Sequence, residues 1–152
     1  MSKDVAVQKA SPLFETFDTD RNLEKTGIVL QYGTTTRDGK EVPIEFTIAR
    51  AGGSNTRFDK VFEVKTKPYK RMIQADSLPP EIGKRIMRET FAETVILGWN
   101  NVQDQDGEFI EFTKKNCESY MEMLPDLFTD IQVQANKQSL FRVMALEEDA
   151  KN

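Results

Sequence analysis

Hydrophobic and polar residues alternate most clearly in the segment that follows Gly39. The apolar positions of this segment are Val42, Ile44, Phe46 and Ile48. A period of two predicts a β-strand with one buried face. Residues 28–32 form a second alternating run, and Asp38-Gly39 between the runs is a typical hairpin turn. Because Pro43 has no backbone N–H, we expect its strand to begin there or to lie at a sheet edge.

Helical spacing of apolar residues dominates the rest of the chain. It predicts four helices, over residues 55–75, 80–98, 113–124 and 125–145. Pro68 removes a backbone donor inside the first helix and should kink or split it. The apolar run 95–97 predicts near-complete burial at the end of the second helix. Residues 108–112 are predicted to be a short strand or an extended segment.

The two ends of the chain differ from this central part. Residues 1–25 are polar and lack sustained periodicity, which predicts a flexible N-terminal arm. Its apolar cluster of Leu13, Phe14 and Phe17 either docks on the protein's own core or binds a partner. Residues 26–146 are predicted to form one domain, and residues 147–152 a charged tail. The expected fold class is α+β, with a hairpin (26–50) packed on a bundle of about four helices (55–146).

Composition narrows the classes of function. The chain has 152 residues, a net charge of −4 and an isoelectric point near 5.0, which argues against a nucleic-acid-binding protein. No stretch is apolar enough for a membrane span, and the N-terminus lacks the apolar run of a signal peptide. With Cys117 as the single cysteine, a reducing cytoplasm is expected. Histidine is absent, so catalytic pairs built on histidine are excluded.

The remaining candidate sites have structural interpretations that we favour. Gly52-Gly53-Ser54-Asn55 lacks a phosphate-binding signature, so a turn before a helix is expected rather than an anion site. Residues 104–107 lack the first and last ligands of a calcium loop. The carboxylate clusters fit no acid–base or metal framework, so neither a cofactor nor a metal is expected. Residues 57–71 carry six basic side chains, which form either a solvated helix face or a surface for an acidic partner.

Several short stretches, in order, resemble one known family. They are residues 49–55 (ARAGGSN), 67–71 (KPYKR), 91–99 (FAETVILGW), Val102 with 104–107 (DQDG), Asn116, 124–128 (LPDLF), Ile131 with Ala135-Asn136, Phe141-Arg142 and 149–152 (DAKN). Together these stretches, spanning residues 48–152, resemble the tail assembly chaperones of long-tailed bacteriophages.

The resemblance implies a role in tail morphogenesis in the host cell cytoplasm. Such chaperones are not enzymes: they bind the tape measure protein, keep it soluble, and help to recruit the tail tube protein. Self-association is a further interaction that stays open. The candidate partner-binding residues are Phe46, Ile48, Phe58, Phe62, Tyr69, Trp99 and Phe128. The alternatives are a structural tail component, such as an adaptor or tube-completion protein retained in the virion, and an enzyme that uses carboxylates and a metal.

Overall fold

The structure is a computed structural model that describes residues 11–143, in which a small antiparallel sheet packs on helices. Its elements in chain order are α1 (Pro12–Phe17), α2 (Arg21–Thr26), β1 (Ile28–Arg37), β2 (Lys40–Ile48), α3 (Thr56–Thr66), α4 (Lys70–Gln74), α5 (Pro80–Thr94), β3 (Ile96–Asn100), α6 (Lys114–Met123) and α7 (Pro125–Ala135). The predicted α+β class, with its hairpin on a mainly helical remainder, is confirmed. The domain boundaries stay a prediction, and the tail at 147–152 lies outside the described residues.

The hairpin forms as predicted and gains a third strand. Asp38 and Gly39 adopt φ angles of 53° and 77°, the left-handed geometry that a two-residue hairpin turn requires. The strand order is β1-β2-β3, and β2 begins at Lys40, so both alternatives expected for Pro43, a strand start and a sheet edge, are wrong. Pro43 is tolerated because β3 pairs with β2 only over residues 45–48, which leaves Pro43 paired with β1 alone.

Pro68 breaks the first long helix, as predicted. Helix α3 ends at Thr66, a 3₁₀ turn covers Lys67–Tyr69, and α4 continues to Gln74. Neither α3 nor α4 has a fully buried residue, but α3 packs along α5, whereas α4 makes no contact of similar extent within residues 11–143. The break therefore directs α4 away from the core.

The second predicted helix ends earlier than expected. Helix α5 ends at Thr94, and residues 96–100 form β3 in place of a last helical turn. The backbone N–H of Ala49 donates to the carbonyl of Val95 (2.8 Å), and Ile96 then pairs with Ile48. Pairing with the open side of β2 outweighs the helical pattern at these positions. The burial prediction holds for Val95 and Ile96, but Leu97 lies on the other face of the sheet and is 38% exposed.

The C-terminal helices begin where the sequence predicts. The Thr113 hydroxyl accepts from the N–H of Asn116 (3.0 Å) and caps α6, and Pro125 opens α7. Helix α7 ends at Ala135, not near residue 145, because the following residues turn into a 3₁₀ segment, Gln138–Phe141. Residues 108–112 are extended, with a single bridge from Phe109 to Gln103 rather than a full strand.

Aromatic side chains join the sheet to the helices. Phe46 on β2 lies between Tyr32 and Trp99, with ring centroids 5.6 Å from each. On the helical side, the ring of Phe91 contacts Phe58 edge-on at 5.7 Å and Phe128 at 5.3 Å. These contacts form one continuous core between the hairpin and α3, α5, α6 and α7.

The described part of the expected N-terminal arm contains two short helices. Asp20 caps α2 by accepting from the N–H groups of Asn22 and Leu23, both at 3.0 Å. In α2, Glu24 is 1% exposed and forms an ion pair with Arg50. Residues 19 and 20 bond to residues 142 and 141. Residues 1–10 lie outside the described part, so the predicted flexibility of the arm as a whole stays a prediction.

Candidate functional site

Four of the seven predicted partner-binding residues lie in the core. Phe46, Ile48, Trp99 and Phe128 are between 0% and 8% exposed. The indole N–H of Trp99 donates to the carbonyl of Ile110 (2.9 Å), which fixes that ring in place. In the folded chain these residues have almost no surface with which to meet a partner, and their predicted role stays a prediction.

The other three predicted residues lie on the helices around Pro68 and are half-buried. Phe58 stacks on Phe62 with ring centroids 6.1 Å apart and planes within 7° of parallel. The Tyr69 hydroxyl accepts from a guanidinium N–H of Arg85 (3.1 Å) on α5. Of the three, Phe62 lines an open groove.

This groove, which we call the basic groove, runs along the break between α3 and α4. It has a volume of about 500 Å³ and a mainly apolar lining. Its lining residues are Phe62, Glu63, Thr66, Lys67, Lys70, Ile73 and Gln74. The Thr66 hydroxyl donates to the carbonyl of Phe62 (2.8 Å), so its polar atom is satisfied within the helix. Its methyl group is therefore available to the apolar lining.

The basic groove has positive charge at its rim. Lys67 and Lys70 line it, and within residues 11–143 neither forms an ion pair. Lys65 points elsewhere, with its ammonium 3.4 Å from Glu89 and 3.7 Å from Glu93 on α5. The ion pairs explain why a lysine interrupts the apolar stripe of α3. Within the basic run 57–71, Lys65 thus fastens α3 to α5, whereas Lys67 and Lys70 line the groove.

Sequence reasoning missed Ile73 as a surface residue. Helical spacing places Ile73 on the same stripe as the half-buried Phe58 and Phe62 of α3, but it is 44% exposed. The reason is the break at Pro68, which turns α4 away from the core. The basic run had indicated a surface for an acidic partner, and Lys67 and Lys70 are the members of that run that line the groove.

A second apolar surface lies on α1. Leu13, Phe14 and Phe17 are 69%, 63% and 65% exposed and line one shallow depression with Asp18. We call these three residues the α1 patch. The expectation that Phe14 and Phe17 dock on the protein's own core is therefore wrong. The backbone behind the patch is anchored, because Gln138 donates to the carbonyl of Thr16 (3.1 Å).

The glycine loop before α3 binds a carboxylate of the same chain, that of Glu24. The Glu24 carboxylate accepts from the N–H of Ser54 (3.1 Å) and forms an ion pair with Arg50. Burial raises the pKa of Glu24, but the bonds from Arg50 and Ser54 outweigh it and hold the pKa below its usual range. The side-chain amide of Asn55 holds the end of the same loop by donating to the carbonyls of Arg50 (2.8 Å) and Thr94 (2.9 Å). The loop is thus a structural turn, as its sequence predicts.

The other sequence candidates also have structural roles. The Asp104 carboxylate accepts from the N–H groups of Asp106 and Glu108, both at 2.9 Å, and so shapes a turn. The hydrogen bond from Lys114 lowers the pKa of Glu93. Burial raises the pKa of the Cys117 thiol to about 12, which makes it a poor nucleophile. Among residues 11–143, no group of three or more possible metal ligands comes together.

One comparison with known proteins gives a match, to a prophage protein family. In the described part of the chain, no helix has both the length and the apolar character needed to cross a bilayer. Searches of curated proteins and of solved structures yield no match. A family model described as YdaY prophage protein matches residues 53–152, which include the whole basic groove. Since this match covers well over half of the chain, the protein belongs to the YdaY prophage protein family.

Proposed function

We propose that this phage protein is a tail assembly chaperone that binds the tape measure protein, keeps it soluble and aids assembly of the tail tube. The observation that carries the proposal is the basic groove, an open apolar surface on helices with lysines at its rim. Grooves of this kind receive the apolar face of an amphipathic helix. A long helical protein with few ways to bury its own apolar faces is the type of client that needs such a surface.

The groove also specifies the chemistry of its client. Phe62 and Ile73 offer apolar contacts, so the client segment needs large apolar residues one helical turn apart. Lys67 and Lys70 favour acidic residues beside that apolar face. Both lysines are exposed, so salt should screen their contribution and weaken binding.

The sheet offers a second surface, suited to the tail tube protein. β1 is an outer strand, and residues 28–36 carry no charged side chain that would discourage pairing with another strand. An added strand would bond to the backbone of β1, which forms an edge of the sheet. Phe46 and Ile48 lie on the middle strand and face the core, so their side chains would not contact the added strand. The proposal assigns the protein no enzymatic activity, as the chain lacks histidine and Glu63 is the single carboxylate among the residues that line the groove.

A structural tail component retained in the virion is the alternative. It is favoured by the α1 patch, because permanent assembly partners normally cover apolar surface of this kind. Mass spectrometry of purified particles of the phage separates the two functions. A chaperone should be absent from the finished particle, whereas a structural component should be present in stoichiometric amounts.

Co-expression with the tape measure protein of the same phage tests the proposal. We expect the two proteins to co-purify and the soluble fraction of the tape measure protein to rise. Ile73→Asp should abolish both effects, because it places a charge in the apolar lining. Val133→Asp is the matched control: Val133 is 50% exposed, against 44% for Ile73, but lies on α7 and outside the groove lining.

A second pair of variants tests the charge of the rim. Lys67→Glu with Lys70→Glu should weaken co-purification about tenfold, whereas Lys84→Glu, at an exposed position of α5, should leave it unchanged. Circular dichroism verifies that each variant is folded. If the wild-type chain gives no gain in client solubility, the chaperone function is wrong. If the groove variants and their controls behave alike, the client binds elsewhere.

A further inference from the structure

The chain carries both an exposed apolar helix and an open groove. The α1 patch exposes two phenylalanines and a leucine within two helical turns. The basic groove, at about 500 Å³, lies in the range of roughly 300–1,000 Å³ that pockets use to bury a compact apolar group. Soluble proteins rarely leave a contiguous apolar patch of this kind without a function.

The two surfaces also match in charge. Glu15 and Asp18 lie beside the α1 patch, and within residues 11–143 neither forms an ion pair. Lys67 and Lys70 hold the opposite charge at the rim of the basic groove and outnumber its one carboxylate, Glu63. α1 thus has the character that the groove requires of a bound helix: large apolar residues one turn apart, flanked by carboxylates.

The anchoring of α1 favours a groove on a second copy. Gln138 bonds to the Thr16 carbonyl, residue 19 bridges to residue 142, and the Asp20 N–H donates to the Phe141 carbonyl (2.8 Å). Moving α1 into the groove of its own chain would break these bonds. While the bonds are intact, they hold α1 with its apolar patch facing outward.

We propose that α1 of one copy binds the basic groove of a second copy. Each chain carries one donor helix and one acceptor groove, so two copies can exchange their helices reciprocally, or a head-to-tail contact can extend from copy to copy. Resting on the proposed function, this contact covers the groove until a client helix of the same chemistry displaces α1. Self-association therefore falls when the tape measure protein is bound.

Sedimentation velocity on the purified full-length chain, without any client, tests the contact directly. We expect self-association that increases with protein concentration and weakens in high salt. A donor variant, Phe14→Asp with Phe17→Asp, should weaken self-association at least tenfold, and so should the acceptor variant Ile73→Asp. Val133→Asp should associate like the wild-type chain. Phe14 and Phe17 are exposed, so the donor variant should keep its fold, as circular dichroism verifies.

A mixing experiment decides whether the two surfaces meet each other. The donor variant keeps an intact groove and Ile73→Asp keeps an intact α1, so together they can form one contact and no more. At a concentration where each variant alone is monomeric, we expect their mixture to give a one-to-one heterodimer. The proposal is overturned if the mixture stays monomeric, if the wild-type chain is monomeric at all accessible concentrations, or if neither variant changes self-association.

The same variants separate this inference from the chaperone function. The donor variant should still co-purify with the tape measure protein, because its groove is intact. Self-association without client binding would refute the chaperone and leave the copy-to-copy contact standing. Client binding by a chain that does not self-associate would refute only the contact.

Discussion

Removing the carboxylate of Glu24 should destabilise the fold, although the residue lies in a segment whose sequence suggests a flexible arm. Its side chain is 1% exposed and joins α2 to the loop before α3. It forms an ion pair with Arg50 and accepts from the Ser54 N–H, and its backbone carbonyl accepts from the Arg50 N–H at 2.9 Å. Glu24→Ala keeps only the backbone bond.

The expected cost follows from the bonds that are lost. A hydrogen bond to a charged group contributes about 1.5–3 kcal/mol, and breaking a buried ion pair costs about 3–5 kcal/mol. The Arg50 side chain is 24% exposed and can regain some water, so the lower end applies, at about 3 kcal/mol. For a chain of this size that corresponds to a fall of about 6–12 °C in Tm. Glu24→Gln keeps an acceptor for Ser54 and should lose about 1–2 kcal/mol.

The pH dependence gives a second, independent signature. The pKa of Glu24 in the folded chain lies below its ordinary value of 4.5, so its carboxylate binds protons less readily than in the unfolded chain. The stabilisation is fully present above pH 4.5 and is lost as the pH falls through the folded-state pKa. The difference in stability between wild type and Glu24→Gln should therefore shrink on acidification.

Urea unfolding followed by Trp99 fluorescence measures these effects. Trp99 is the single tryptophan and is 8% exposed, so its emission should shift when the core opens. Glu15→Gln, at an exposed position of α1, is the control and should change the free energy of unfolding by less than about 0.5 kcal/mol. A Glu24→Ala protein as stable as this control, or a difference from wild type that is unchanged at low pH, would refute the reasoning.

Two further predictions concern the glycine loop and the buried thiol. Gly53→Ala should cost about 1–3 kcal/mol, because φ is 55° and a Cβ would lie 2.6 Å from Glu24 Oε2. Gly98→Ala in β3, where a Cβ meets nothing within 4 Å, is the control, and equal urea midpoints would contradict the steric argument. Folded Cys117, with its pKa raised to about 12, should resist alkylation at pH 8 until urea unfolds the chain. Modification of the native protein as fast as of a free thiol would show that the site is open.

Local sequence signals were sufficient at three positions where one residue type decides the backbone. Asp38-Gly39 predicted the hairpin turn, Pro68 the break between α3 and α4, and Thr113 the start of α6. Each works through its own geometry or hydrogen bonding and needs no distant partner. The binding surface was predicted only in part: the basic run indicated its charge, but four of the seven proposed aromatic and aliphatic contacts are core residues.

By itself, the sequence determined the α+β class, the hairpin and most helix starts, because turn residues, prolines and caps act within a few residues of themselves. Only the tertiary structure decided that Ile96–Asn100 is a strand, since an apolar run fits a helix or a strand until β2 offers backbone partners. It also decided that Glu24 is buried, through Arg50 and Ser54. Finally, it decided that Ile73 faces solvent, because exposure depends on how whole helices pack and not on the period within one of them.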